Sequence, residues 1–339
     1  TLARAANAPK QACMAVVSQL LAYVGLTCDP AEMTEAELHS WLRATFTVER
    51  LDAMLARVPG RQATGATGHS AYPLRWLPEE MKRILVDAFA EVAYRLTRGG
   101  AARDVVPESW LDMLCVLIPK KNRDSRLFRN LRDIWLLEHA LKLFDGFLLP
   151  GLNETASRVV PASQFGFRRR VGTPQPTTAA HVQAEVGRRM SGARRVVHVY
   201  RAFTDFTGLF ESIARLVQAA VERGSGVPSP ITISLQAIRN ASVGMLETPF
   251  GLTHPCPRGK GNPQGSKTGP VESNLTLGWG QCSVWWRCMW TGLSMRARTA
   301  ARTVCRASTL QMTVRPRLMG HTGCSRITPL STSLRAYWS

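Results

Sequence analysis

Hydrophobic residues recur at helical spacing in three segments near the start of the chain, 14–24, 31–57 and 78–98. In the third segment the apolar positions are Met81, Ile84, Leu85, Ala88, Phe89, Val92 and Leu96. Between the second and third segments, residues 60–70 are rich in Gly, Ala and Thr, which predicts a flexible loop. We therefore expect residues 1–100 to form a helical region.

Strand and helix patterns alternate in the following part of the chain. Residues 110–119 end in an apolar run that suits a buried strand. Residues 134–144 have helical spacing again, and Gly146 is a plausible stop for that helix. Residues 195–203 are rich in β-branched and aromatic side chains, which predicts a second strand. Helices and strands in this mixture predict an α+β fold.

The strand predicted at 195–203 delivers Asp205 at its end, just before a turn at Gly208. A helix should follow, with one apolar face made of Leu209, Phe210, Ile213, Leu216, Val217, Ala220 and Val221. A carboxylate at such a position is well placed to hold a metal ion. Asp205 alone fits equally well as a helix-start residue that accepts hydrogen bonds from free backbone amides.

Charge is distributed unevenly in this chain of 339 residues, which has a formal net charge of +19. Residues 1–277 contain 34 basic and all 24 acidic residues, whereas residues 278–339 contain nine Arg and no Asp, Glu or Lys. Five of the nine Trp and four of the eight Cys also lie in this final segment. Such a composition is typical of GC-rich DNA translated in the wrong frame and predicts a poorly ordered tail. The alternative is an Arg-rich arm that binds nucleic acid.

Several protein classes do not fit the sequence. No uninterrupted apolar stretch is long enough to cross a bilayer as a helix, so we expect no membrane span. The start at Thr1 has no initiator Met and lacks the basic-then-apolar layout of a signal peptide. No Cys-x-x-Cys pair is present, which argues against a zinc ribbon and favours reduced thiols. We expect an intracellular protein, nuclear or cytoplasmic.

Six segments, taken in order, resemble the reverse transcriptases of non-LTR retrotransposons over about residues 60–277. They are Ala66–Pro78, Val106–Trp110 with Val116–Lys121, Arg132–Ile134, Gln164–Arg168, Phe203–Ile213, and Pro263–Ser266 with Gly269-Pro270. The sequence departs from the family at Asp133, where the family has Pro, and at Gly208-Leu209, where it has Lys-Ala. Glu211 stands where the family has its usual second acid.

The resemblance implies a polymerase with fingers over residues 101–190 and a partial palm over 191–277. It also implies two-metal nucleotidyl transfer with Mg²⁺, in which Asp205 is the catalytic and metal-binding carboxylate. The expected partners are an RNA template, a DNA primer and deoxynucleoside triphosphates.

The same resemblance assigns the nucleotide-binding groups. Lys120, Lys121 and Arg132 would neutralise the triphosphate, although a run of basic residues is more commonly a solvated face. The template and base-pair pocket would be lined by Gln264 and Gly265. A second basic cluster, Arg168, Arg169 and Arg170, would contact the nucleic-acid backbone.

Phe210 has two interpretations. It matches the family's aromatic position that excludes ribonucleotides by crowding the 2′-hydroxyl. It also fits the apolar face of the predicted helix, where it would simply pack in the core.

One family motif is missing, an Asp-Asp pair a few dozen residues after the Gln-Gly turn, because no acid follows residue 277. The codons of Gln311-Met312-Thr313, read from the third base, encode Asn or Asp followed by Asp. We therefore expect a frame shift near residue 278 and an inactive chain. The alternatives are a non-catalytic, basic RNA-binding remnant of a mobile element and an RNA-templated RNA polymerase.

Overall fold

The computed structural model describes residues 33–168, 170–191 and 209–278. They belong to two compact units. The first contains residues 33–168, 170–171 and 209–278, and the second contains residues 172–191, which include one long helix.

Helices dominate the described residues. In chain order they are α1 (Glu35–Thr45), α2 (Val48–Leu55), α3 (Glu79–Thr97), α4 (Ala102–Val105), α5 (Glu108–Leu111), α6 (His139–Val159), α7 (Pro174–Met190), α8 (Leu209–Ser212), α9 (Arg215–Gly224), α10 (Ser229–Ala241) and α11 (269–278). Short 3₁₀ helices cover Tyr72–Trp76 and Phe128–Asn130. No described helix combines the length and the apolar character that a membrane crossing requires.

Local capping explains why the single helical segment predicted at 31–57 forms two helices. Thr34 caps α1 through a reciprocal pair of hydrogen bonds with Glu37. Thr47 caps α2 by accepting from the Arg50 backbone N–H. The chain is extended at Phe46, which ends the first helix.

Within the described ranges, five strands form one small mixed sheet: β1 (Asp112–Pro119), β2 (Leu131–Leu136), β3 (Val243–Thr248), β4 (Gly251–Leu252) and β5 (Cys256–Pro257). The central strand β1 pairs antiparallel with β2 and parallel with β3. The short strands β4 and β5 pair antiparallel with β3. The expected α+β class is therefore confirmed.

Aromatic side chains from α3, α5, α6 and the junction of α1 with α2 form the centre of the core. The rings of Phe46 and Phe147 are 5.0 Å apart, and Phe144 contacts Trp110 at 5.6 Å. Phe89 of α3 lies 5.6 Å from Phe147. All of these side chains are buried, so this cluster fixes the helices beside the sheet.

The prediction of a helix over 134–144 with a stop at Gly146 is wrong at both ends. Leu131–Leu136 form β2, because pairing with β1 overrides the local pattern. The helix α6 begins only at His139 and continues through Gly146 and Pro150 to Val159. A Cβ at Gly146 would collide with the Met54 sulfur, so the glycine serves close packing rather than termination.

Two predicted apolar faces also differ from the buried faces. In α3 the buried residues are Val86, Phe89, Ala93 and Leu96, while the predicted positions Met81, Ile84 and Ala88 are exposed. After Gly208 the helix is divided into α8 and α9, and Leu216 is exposed. Arg215 and Gln218 occupy the buried face of α9, because buried polar partners satisfy part of their hydrogen-bonding capacity.

Some predictions fall outside the described residues. These are the helix at 14–24, the strand at 195–203 with Asp205, Arg169, and nearly all of the tail at 278–339.

Candidate functional site

The turn at Gln264-Gly265 is fixed to two separate parts of the chain. On one side, the backbone N–H of Trp135 in β2 donates to the carbonyl oxygen of Gln264 at 2.8 Å. On the other side, the N–H of Asn262 donates to the Phe210 carbonyl at 2.7 Å, and that of Gly261 to the Ile213 carbonyl at 2.8 Å. The turn therefore connects β2 with the segment 210–213.

Two glycines permit this close backbone approach. Gly265 has φ +140°, and a Cβ there would collide with the carbonyl oxygen of Trp135. Gly261 has φ +79°, and its Cβ would lie 2.6 Å from the Phe210 carbonyl oxygen. The close approaches in this structure are to the protein's own backbone.

The side chain of Gln264 is also held. Its amide nitrogen donates to Oε1 of Glu211. The second oxygen of Glu211, Oε2, is buried and has no hydrogen-bond partner among the described residues. The acid that the resemblance singled out thus lies directly against the turn.

Phe210 lies at the edge of the core. Its side chain is half-buried, and its ring makes an edge-on contact with Phe167, with the centroids 5.7 Å apart. Phe167 itself is largely exposed. The aromatic residues of two predicted motifs therefore meet beside the Gln264 turn.

The segment 164–168 is tied to the helix that follows the turn. The Gln164 amide donates to the side-chain oxygen of Asn274 in α11 at 3.1 Å, and the Asn274 amide donates to the Gly166 carbonyl at 2.6 Å. Arg168 donates to the carbonyl oxygens of Pro161 and Gln164. Part of the hydrogen-bonding capacity of Arg168 thus stabilises its own turn.

The other basic residues separate into distinct places. Arg132 on β2 is exposed and pairs in register with Ile118 of β1, close to where Lys120 and Lys121 follow the strand. Arg132 lies three positions from Trp135, which is roughly 10 Å along a strand. The three basic residues lie near one another at one end of the β1–β2 pair. Arg170 is exposed, with φ +63°.

Three site residues were missed or misread from the sequence: Asp133, Trp135 and Arg258. The Arg258 guanidinium lies over the Trp135 ring, 4.2 Å from its centroid, and Asp133 accepts from the indole N–H at 2.9 Å. Asp133 and Trp135 are two positions apart in β2, so their side chains lie on the same face of the strand. Asp133, which departs from the motif of the family that the sequence resembles, thus has a hydrogen-bonding partner in Trp135. The strand that puts Asp133 and Trp135 on one face was not predicted from the sequence, and nothing local indicated Arg258.

The pKa of Arg258 is lowered from its ordinary value, although neighbouring charges act on it in both directions. Burial lowers the pKa of Arg258, and the positive charge of Arg239 lowers it further. The carboxylates of Asp133 and Glu211 act in the opposite direction on the same pKa. A cation fixed over an aromatic ring, with acids nearby, is one way to present charge to a polar ligand.

A buried polar network is connected to the loop that follows the Gln264 turn. Arg239 of α10 forms an ion pair with Glu272 of α11, and Gln218 of α9 donates to Glu272 at 2.8 Å and to Glu222 at 2.9 Å. Burial raises the pKa of Glu222 well above its ordinary value, and the Glu272 charge raises it further. Thr268 accepts from Arg239 at 2.8 Å, which connects the network to the loop after Gln264.

A metal centre is not assembled within residues 33–168, 170–191 and 209–278, where no group of three or more His, Cys, Asp or Glu side chains is placed to hold a metal ion. Asp205, the predicted metal ligand, lies outside those ranges.

No protein-family model matches the chain.

Proposed function

We propose that the chain is the fingers and partial palm of an RNA-directed DNA polymerase of the non-LTR retrotransposon type, and that it binds nucleotide and nucleic acid. One observation carries the proposal. Four segments that carry or directly adjoin polymerase-like motifs are connected in series: β2 contacts the Gln264 turn through Trp135, next to the Arg132–Ile134 motif; the turn contacts the segment 210–213; and that segment contacts the segment 164–168 through Phe167. More than a third of the chain separates Trp135 from Gln264, so their contact is not a consequence of local structure.

The proposed chemistry uses the residues at this turn and the basic residues at one end of the β1–β2 pair. Lys120, Lys121 and Arg132 supply positive charge for a triphosphate. Gln264 supplies a fixed amide, and Phe210 an aromatic edge, to a bound nucleotide. Asp205, from outside the described residues, would hold Mg²⁺, and the metal when bound would stabilise charge on the reacting phosphate.

Catalysis in this chain is expected to be absent. A two-metal site needs several carboxylates, and the tail at 278–339 contains none. The acid-free, Arg-rich tail favours a second candidate, a non-catalytic RNA-binding remnant of the same kind of element.

The test is binding and primer extension with the full chain. We expect it to bind a labelled DNA primer annealed to an RNA template, and to extend that primer undetectably with deoxynucleoside triphosphates and Mg²⁺. The coding DNA read in the shifted frame from codon 278 should restore extension, and Asp205→Ala should abolish it while the exposed Asp104→Ala variant retains it.

The outcomes separate the two candidates. Restored extension supports the polymerase, and binding without restored extension supports the remnant. Absence of binding to primer–template at low salt would overturn both.

A further inference from the structure

The position of Glu211 gives it a specific task at the proposed nucleotide site. Its Oε1 accepts from the side-chain amide of Gln264, and the two residues are 53 positions apart in the sequence. We infer that Glu211 is a positioning residue that fixes the orientation of the Gln264 carboxamide for a nucleotide ligand. This inference rests on the proposed function.

A carboxylate determines which way an amide points. A Gln side chain has a donor nitrogen and an acceptor oxygen of nearly the same shape, so the two can exchange places by rotation unless a partner selects one orientation. An ionised carboxylate only accepts hydrogen bonds, so it selects the nitrogen. Gln264 therefore keeps its oxygen available as an acceptor for a ligand group that donates, such as a hydroxyl or an amino group.

The backbone around the pair is held in place as well. Asn262 and Gly261 donate to the carbonyl oxygens of Phe210 and Ile213, and Trp135 donates to the carbonyl oxygen of Gln264. The two segments that carry Glu211 and Gln264 are thus joined by hydrogen bonds on both sides of the side-chain contact. Such support is what keeps a binding group in one geometry before the ligand arrives.

Glu211 is half-buried, and one of its two carboxylate oxygens is shielded from solvent. Its Oε2 is buried and without a hydrogen-bond partner among the described residues. Its negative charge also acts on Arg258. Burial and the charge of Arg239 lower the pKa of Arg258, and the charge of Glu211 acts to raise it. A buried carboxylate oxygen without a hydrogen bond lowers stability, and such a group in a native structure calls for an explanation such as a role at a functional site.

The experiment measures binding of a fluorescent deoxynucleoside triphosphate with Mg²⁺ to the full chain. The variants are Glu211→Met, which keeps the length but removes the acceptor, Glu211→Gln, which keeps an acceptor oxygen, and Gln264→Met. The double variant Glu211→Met/Gln264→Met completes a cycle, and the exposed Glu80→Met on α3 is the matched control.

We expect Glu211→Met and Gln264→Met each to weaken nucleotide binding by about five- to tenfold, the effect of one well-placed hydrogen bond. Glu211→Gln should recover most of the affinity, and the double variant should be no weaker than either single variant. Glu80→Met should bind like the unmodified chain. If Glu211 had a purely structural role, the Glu211→Met substitution would lower the melting temperature but would not produce this non-additive loss of affinity.

Additive losses in the double variant, or no loss in Glu211→Met, would overturn the positioning role and leave nucleotide binding standing. An unmodified chain that binds no nucleotide overturns nucleotide binding and the inference with it, while binding to primer–template is judged separately. If Glu211→Met does not fold, Glu211→Asp, which withdraws the carboxylate by one methylene, takes its place with the same expected loss.

Discussion

Arg239 and Glu272 form a two-pronged ion pair in the protein interior, although 33 residues separate them in the sequence. The exposed fractions of the two side chains are 4% and 0%. The pair joins α10 to α11, the helix that directly follows the Gln264 turn. The ion pair therefore helps to fix the helix that follows the Gln264 turn of the candidate site.

Removing one member of this pair should be strongly destabilising. Glu272→Gln leaves the buried guanidinium of Arg239 without its counter-charge, and we expect the free energy of unfolding to fall by about 3–5 kcal/mol. Urea denaturation followed by circular dichroism measures the change. The matched control is Glu154→Gln, which breaks the exposed pair with Arg158 and should cost no more than about 0.5 kcal/mol. Equal losses in both variants would contradict the ranking by burial.

Stability should depend on pH through Asp145, a buried acid beside the same network. Burial raises the pKa of Asp145 to about 6, while Arg239, the Ser266 hydroxyl and Lys267 oppose the rise and Glu272 adds to it. An acid whose pKa is higher in the folded than in the unfolded protein stabilises the fold at low pH. That contribution is lost as the pH rises from about 4 to above 6.

Asp145→Asn tests this dependence. The asparagine stays neutral at every pH and can still accept from Ser266. The unmodified chain should lose about 3 kcal/mol of unfolding free energy through Asp145 over this pH range, and the Asp145→Asn variant should not show that loss. Comparing the two proteins at each pH cancels the titration of exposed acids. Parallel pH profiles would show that Asp145 titrates normally in the folded protein.

The elements with strong local patterns were the ones that could be predicted. The run ending at Pro119 forms β1, and the segment 78–98 forms α3 almost to the residue. Both have a strong local pattern and flanking breakers that set their bounds, although the buried face of α3 is not the predicted one. The elements that failed were decided by distant partners. β2 is paired with β1, and Gly146 lies inside α6, where the lack of a side chain lets Met54 pack closely.

The candidate site shows the same division. Motif order brought Gln264, Phe210 and Arg132 into consideration. The structure shows Gln264 and Phe210 at the same turn, whereas Arg132 lies three positions along β2 from the Trp135 contact. The contacts of Arg258 with Trp135 and of Glu211 with Gln264 join residues that are far apart in the sequence. No local periodicity encodes such contacts, so a single sequence did not predict them.

Nucleic-acid binding should depend on salt through the basic residues that follow β1. If Lys120 and Lys121 contact phosphates, Lys121→Gln should reduce the slope of log K against log salt concentration by about 1 and weaken binding of all sequences similarly. Fluorescence anisotropy of a labelled primer–template between low and moderate salt gives the slope. The exposed Arg57→Gln, on another part of the chain, should leave it unchanged. A slope that shifts equally in both variants would indicate a general charge effect.

Gly265 should tolerate no side chain, because its place in the turn combines two constraints. Its φ of +140° is unfavourable for any residue with a Cβ, and the Cβ would also collide with the Trp135 carbonyl oxygen. Gly251→Ala isolates the first constraint, since φ there is +113° and a Cβ would meet nothing within 4 Å. We expect Gly251→Ala to cost about 1–3 kcal/mol of unfolding free energy. Gly265→Ala should cost more, because the turn must also move away from β2.

The same substitution should separate stability from binding. Moving the turn breaks the hydrogen bond from Trp135 to Gln264 and withdraws the Gln264 side chain from Glu211. Gly265→Ala should therefore weaken nucleotide binding at a temperature where the variant is still folded, whereas Gly251→Ala should bind normally. Thermal melts and nucleotide titrations on the same samples measure both effects. Normal binding by a folded Gly265→Ala variant would show that the turn can shift without disturbing the site, and that β2 does not set its position.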